Sequence, residues 1–91
     1  MIIPKKLKIG GHCFTIRIDK GMDDINGETD WDTNLIRISK TLPQNHKEAA
    51  LIHEVFHVLN STLDSTTVGH ALLDSLSEQF YQVLADNKLL K

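Results

Sequence analysis

The chain has 91 residues, 41% apolar, 24% charged and 5% aromatic, with a formal net charge of −2 at neutral pH. That suffices for one small domain over residues 1–91 with a core mostly of Leu, Ile and Val, and with no clustered Lys/Arg footprint a nucleic-acid surface is excluded. A single cysteine, Cys13, rules out an intrachain disulfide and fits a reducing compartment, the start lacks the apolar stretch of a signal peptide, and no apolar run approaches membrane-spanning length, so a cytoplasmic protein with no membrane or nucleic-acid partner is expected.

The first third reads as sheet. "KLKI" (6–9) and "HCFTIRI" (12–18) both alternate and are split by Gly10-Gly11, a two-residue hairpin signal. In the second run Phe14, Ile16 and Ile18 take one face while Cys13, Thr15 and Arg17 take the other. "DKGMDDING" (19–27) is polar and glycine-containing, and reads as a loop. "ETDW" (28–31) and "LIRIS" (35–39) flank Asp32-Thr33-Asn34 as a second hairpin.

The remainder reads as helix. Pro43 stands just ahead of a helical run, and Asn45 followed by Glu48 matches a capping box. Ala49, Ile52, Val55, Phe56 and Leu59 fall on one face at helical spacing. "STLDSTT" breaks the pattern, and a last helix spans about 67–86 with Leu72, Leu73, Leu76, Phe80, Val83 and Leu84 inward. Asn87 stops it. The fold class is α+β: N-terminal antiparallel hairpins followed by two packed helices.

The first helix carries "HEVFH", His53 to His57. Residues four apart on a helix lie on one side one turn apart, so both imidazoles are placed to hold a single ion. This is the H-E-x-x-H pattern, whose usual chemistry is zinc on the two histidines with the glutamate as general base. Zinc lowers the pKa of a bound water toward about 7, and Glu54 is placed to take its proton and pass it to a leaving amine. The plainer alternative is two histidines at the rim of a packed helix and a solvated glutamate. A third ligand is sought on the last helix, where Ser77, His70, Tyr81 and Asp74 form a polar stripe beside the apolar one. Asp74 and His70 are both placed to reach the ion, one of them as ligand and the other as its partner. Glu78 sits further from the core edge. For Tyr81 the functional alternative to an interfacial aromatic with a wet hydroxyl is a hydrogen-bond donor to a developing oxyanion.

Together, "NLIRI" (34–38), the motif helix and "YQVLADN" (81–87) make the chain resemble the minimal zinc metallopeptidases of the zincin group. The likeness is greatest to short phage and prophage HExxH proteins, and extends more distantly to ImmA/IrrE-type peptidases. The resemblance implies a minimal zincin-like core and a Zn2+ cofactor held by His53, His57 and an acidic residue on the following helix. Matching places Asp74 there, an aspartate where glutamate is common. A histidine ligand in the manner of SprT-like proteases would favour His70, and a glutamate-zincin separation would favour Glu78. The resemblance also implies a peptide or protein substrate in extended conformation, paired on a sheet edge at 35–39 or on its neighbour. The expected function is therefore peptide-bond hydrolysis by a zinc-bound water activated by Glu54. The main alternative is a catalytically silent, zinc-stabilised binding module of phage origin that engages a host protein.

Overall fold

The computed structural model describes residues 1–9, 11–22, 24–61 and 69–87. Four strands, β1 (Lys6–Ile9), β2 (His12–Asp19), β3 (Gly27–Asp30) and β4 (Leu35–Ser39), precede two helices, α1 (Gln44–Ser61) and α2 (His70–Asp86). The α+β class read from the sequence is the class observed. Gly10, half of the expected first turn, lies outside the described residues, as do 67 and 68 at the expected start of the last helix.

Both hairpins form. β1 pairs antiparallel with β2, Lys6 opposite Thr15, and β3 pairs antiparallel with β4, Gly27 opposite Ile38. The second hairpin's first strand is displaced by one residue from expectation, so that Trp31 begins the turn. There the Asp30 carboxylate accepts from the Asp32 amide at 3.0 Å. Asn34 adopts φ 51°, a left-handed conformation that asparagine tolerates better than most residues. Trp31 sets its ring edge-on against Phe14, centroids 6.0 Å apart.

One pairing has no counterpart in the sequence reading. β2 and β4 are parallel, Thr15 opposite Leu35 through Asp19 opposite Ser39, and the sheet order is β1-β2-β4-β3. Hairpin signals report neighbours in sequence only, whereas this parallel pair joins the two hairpins. It decides between the two strands expected at the sheet edge: Leu35–Ser39 is an interior strand, and its neighbour β3 is the edge.

One face of the sheet supplies Ile9, Phe14, Ile16, Ile36 and Ile38 to a core completed by Ala50, Leu51 and Val58 of α1. Ile18, on the same face of β2 as Phe14 and Ile16, is exposed. The opposite face carries Arg17, Asp19, Glu28 and Arg37. There Arg37 donates to Asp19 at 2.7 Å and to Glu28, and with Arg17 it holds the Asp19 carboxyl below its usual range against the opposing effect of burial.

α1 crosses the sheet, touching β1, β3 and β4, and α2 packs on α1. The expected capping box does not form. The Asn45 side chain accepts from the adjacent His46 amide, the Pro43 carbonyl takes the Lys47 amide at 3.0 Å, and Glu48 turns inward. At the other end Asn87 does stop α2, but through its side-chain amide on the Val83 carbonyl at 2.8 Å, with φ −100° and not a left-handed turn.

The helix faces also depart from expectation. On α1 the buried residues are Glu48, Ala50, Leu51, Glu54 and Val58, while Leu59 is exposed. On α2 the buried residues are Leu73 and Ser77, while Leu72, Leu76, Phe80 and Val83 remain exposed. α2 thus meets α1 along the border of its apolar and polar stripes. Leu73→Ala should therefore cost about 2–4 kcal/mol, and Leu72→Ala should stay within about 0.5 kcal/mol. Urea midpoints of the two variants check this; equal losses would refute the assignment of faces.

Candidate metal centre

His53 and His57 sit where three elements converge. Their helix faces the sheet through Glu54 and faces α2 through the imidazoles. The two Nε2 atoms are 2.9 Å apart. Asp74 of α2 brings Oδ1 to 3.4 Å from His53 Nε2 and 3.7 Å from His57 Nε2. The three residues expected as ligands are thus brought together, each offering one donor atom to a common point.

The chemistry of this donor set fits a divalent ion. A tetrahedral zinc with ligands at about 2.0–2.1 Å sets neighbouring ligand atoms about 3.3 Å apart, and the three measured edges bracket that value. Two ring nitrogens at 2.9 Å also need a proton or a cation between them, since two lone pairs at that separation repel. Burial, with the neighbouring His53, holds the His57 imidazole below the ordinary histidine value, against the opposing pull of Glu54 and Asp74. The neutral ring it favours is the metal-binding form. Three protein donors leave the fourth tetrahedral position for another ligand.

The other candidates fall around this cluster. His70 is largely exposed, its Nδ1 4.0 Å from Asp74 Oδ1 and its ring centroid 4.7 Å from that of His57. Glu78 lines a cleft next to His53 without joining the donor cluster. Tyr81 lies further along α2 and donates its hydroxyl to Glu48 Oε1 at 3.0 Å. Burial and that hydrogen bond raise the phenol above its usual value. Burial alone would raise Glu48 as well, but hydrogen bonds from the Met1 amino group, Gln44 and Tyr81 outweigh it and hold the carboxyl low. The Tyr81 hydroxyl is thus committed to a structural contact, two helical turns from Asp74.

Glu54 is only 8% exposed. Its Oε1 accepts from the Thr29 hydroxyl of β3 at 2.6 Å, leaving Oε2 as the oxygen available for other work. The approach of helix and strand is close. A Cβ at Gly27 would lie 3.3 Å from the Arg37 carbonyl oxygen and from Ile38 Cδ1, and 3.4 Å from Glu54 Cγ. Behind the cluster, the buried Ser77 hydroxyl lies 3.3 Å from His53 Nδ1 and donates to the Asp74 carbonyl at 2.9 Å. Thr29 and Gly27 went unrecognised in the sequence because their roles depend on the strand's distance from α1. Ser77 was visible there only as a member of the polar stripe.

Two clefts flank the cluster and share Gly27, His53 and Glu54. One, about 500 Å³, continues past Ile25, His46, Ala49 and Glu78; the other, about 360 Å³, continues past Trp31 and His70. Both follow β3, the sheet edge. The Ser39 amide donates to the Asn26 carbonyl, which makes that pair hydrogen-bonded. By the alternation of an antiparallel ladder, the main-chain groups of Gly27 and Thr29 then point away from β4, toward the open edge. Among the described residues no helix is long and apolar enough to cross a membrane. No family model, curated protein or solved structure matches the chain.

A histidine with a depressed folded-state pKa binds fewer protons folded than unfolded, so its stabilising contribution holds above the ordinary value of 6.5 and is lost as pH falls below it. The metal-free protein should show a falling urea midpoint between about pH 7.5 and 5.5, with a flatter slope in His57→Gln. An unchanged midpoint in the parent would exclude a half-buried His57 held below its ordinary value. Thr29→Val should cost about 1–3 kcal/mol by removing a partner from buried Glu54, and Thr29→Ser should restore most of it. Denaturant titration of the two variants checks this.

Proposed function

We propose that the protein is a zinc-dependent metallopeptidase of the minimal zincin type, with zinc held by His53, His57 and Asp74 and with Glu54 as general base. The observation that carries this reading is the convergence of His53 Nε2, His57 Nε2 and Asp74 Oδ1 at separations of 2.9, 3.4 and 3.7 Å beside a buried carboxylate. When bound, zinc supplies Lewis acidity and lowers the pKa of a water toward neutrality.

This chain's own groups do the rest. The edge of β3 pairs with an extended peptide through the main chain of Gly27 and Thr29. That strand runs through both clefts and so passes in front of Glu54. Thr29 holds Glu54 Oε1, so Oε2 takes the proton of the attacking water as its oxygen bonds to the carbonyl carbon. The same oxygen returns the proton to the amine nitrogen as the C–N bond breaks. The exposed Cys13 thiol accords with a reducing, cytoplasmic setting.

The exposed apolar stripe of Leu72, Leu76 and Val83 favours a second reading, a zinc-stabilised module that engages a protein partner without cutting it. One experiment separates the two. The parent should bind one zinc per chain and cleave members of an extended-peptide library. Glu54→Gln should keep the zinc and lose cleavage by about 100-fold or more. Stoichiometric zinc with no cleavage by the parent would leave the binding module standing, and cleavage undiminished in Glu54→Gln would remove Glu54 as the base. No zinc uptake would refute both.

A further inference from the structure

We infer that Ser77 is a positioning residue for the metal ligand His53, fixing which of its ring nitrogens faces the ion. The inference rests on the zinc reading above. Ser77 is 2% exposed, inside the α1–α2 interface, so water does not replace its partners. A serine hydroxyl has one proton to give, and Ser77 gives it to the Asp74 carbonyl at 2.9 Å. Toward His53 Nδ1, at 3.3 Å, the same oxygen therefore acts as acceptor, and His53 carries its proton on Nδ1.

The neutral ring then has its lone pair on Nε2. That is the nitrogen aimed at His57 Nε2 and Asp74 Oδ1. One buried oxygen thus does two things. It sets the tautomer and rotation of the first ligand, and it grips the main chain of the residue that supplies the third. Metal-bound histidines commonly need such a partner on the second nitrogen, and its loss costs roughly 10–100-fold in metal affinity. The hydroxyl also explains why α2 buries a serine where an apolar residue would pack: the interface at that point is a ligand support.

The test is zinc affinity, measured by competition with a chromophoric chelator. Ser77→Ala should bind zinc about 10–100-fold more weakly than the parent, and Ser77→Thr, which keeps the hydroxyl, should lie much closer to the parent. Nitrogen-15 spectra of the zinc-loaded parent supply a readout that needs no variant: His53 should show a protonated Nδ1 and a metal-bound Nε2. Parental affinity in Ser77→Ala or equal weakening in both variants would each overturn the inference while leaving the peptidase reading intact, and zinc on Nδ1 of His53 would overturn the inference together with the Nε2 geometry on which that reading rests. A parent that binds no zinc would instead remove the peptidase reading, and this inference with it.

Discussion

Two carboxylates buried on one helix determine how the rest of this small fold is arranged. Burying an ionised carboxylate without hydrogen-bond partners costs several kcal/mol, so Glu54 and Glu48 of α1 both require donors from other elements. Glu54 finds Thr29 on β3, and Glu48 finds Tyr81 on α2 together with Gln44 and the Met1 amino group. Those contacts orient α1 about its own axis. With Glu54 turned to the sheet and Glu48 tied to α2, His53 and His57 are left at the seam between the two, where Asp74 meets them. The same polar contacts that hold the helix in place therefore present its imidazoles.

This also explains what the sequence could and could not convey. Element order, both hairpins and the spacing of His53 and His57 were legible, because each is a local pattern. The faces of the helices were not. Scoring polar residues as outward placed the apolar arc of α1 on Ala49, Ile52, Val55, Phe56 and Leu59, whereas the buried residues are Ala50, Leu51, Val58 and the two glutamates. A carboxylate with a partner on another element is indistinguishable, in sequence, from one in water. On α2 most of the residues expected inward are exposed, because the helix docks by the border of its apolar arc, where Leu73 and Ser77 sit and where Asp74 meets the two imidazoles.

The parallel pairing of β2 and β4 is the other feature that local patterns could not reach. It places β4 in the middle of the sheet, where Ile36 and Ile38 are fully buried beneath α1, and it pushes β3 to the edge. The interior strand serves the core, and the short outer strand carries Thr29 and main-chain groups that point away from β4. Core and site are thus divided between two adjacent strands of one hairpin. Among the ligand candidates, spacing marked His53 and His57 directly, whereas Asp74 was one of several residues at the same border until the docking of α2 brought its Oδ1 closest.

Gly27 is a spacer whose work is done by the side chain it lacks. A methyl group there would press on the main-chain oxygen of Arg37, which has no freedom to retreat, and on the stem of Glu54. Relief would need a shift of a few tenths of an ångström between this strand and its neighbours, at the place where Thr29 holds the Glu54 carboxylate. A mutational survey of this protein would then score a residue with no functional group as sensitive, and would tempt its readers to assign chemistry to a hydrogen atom.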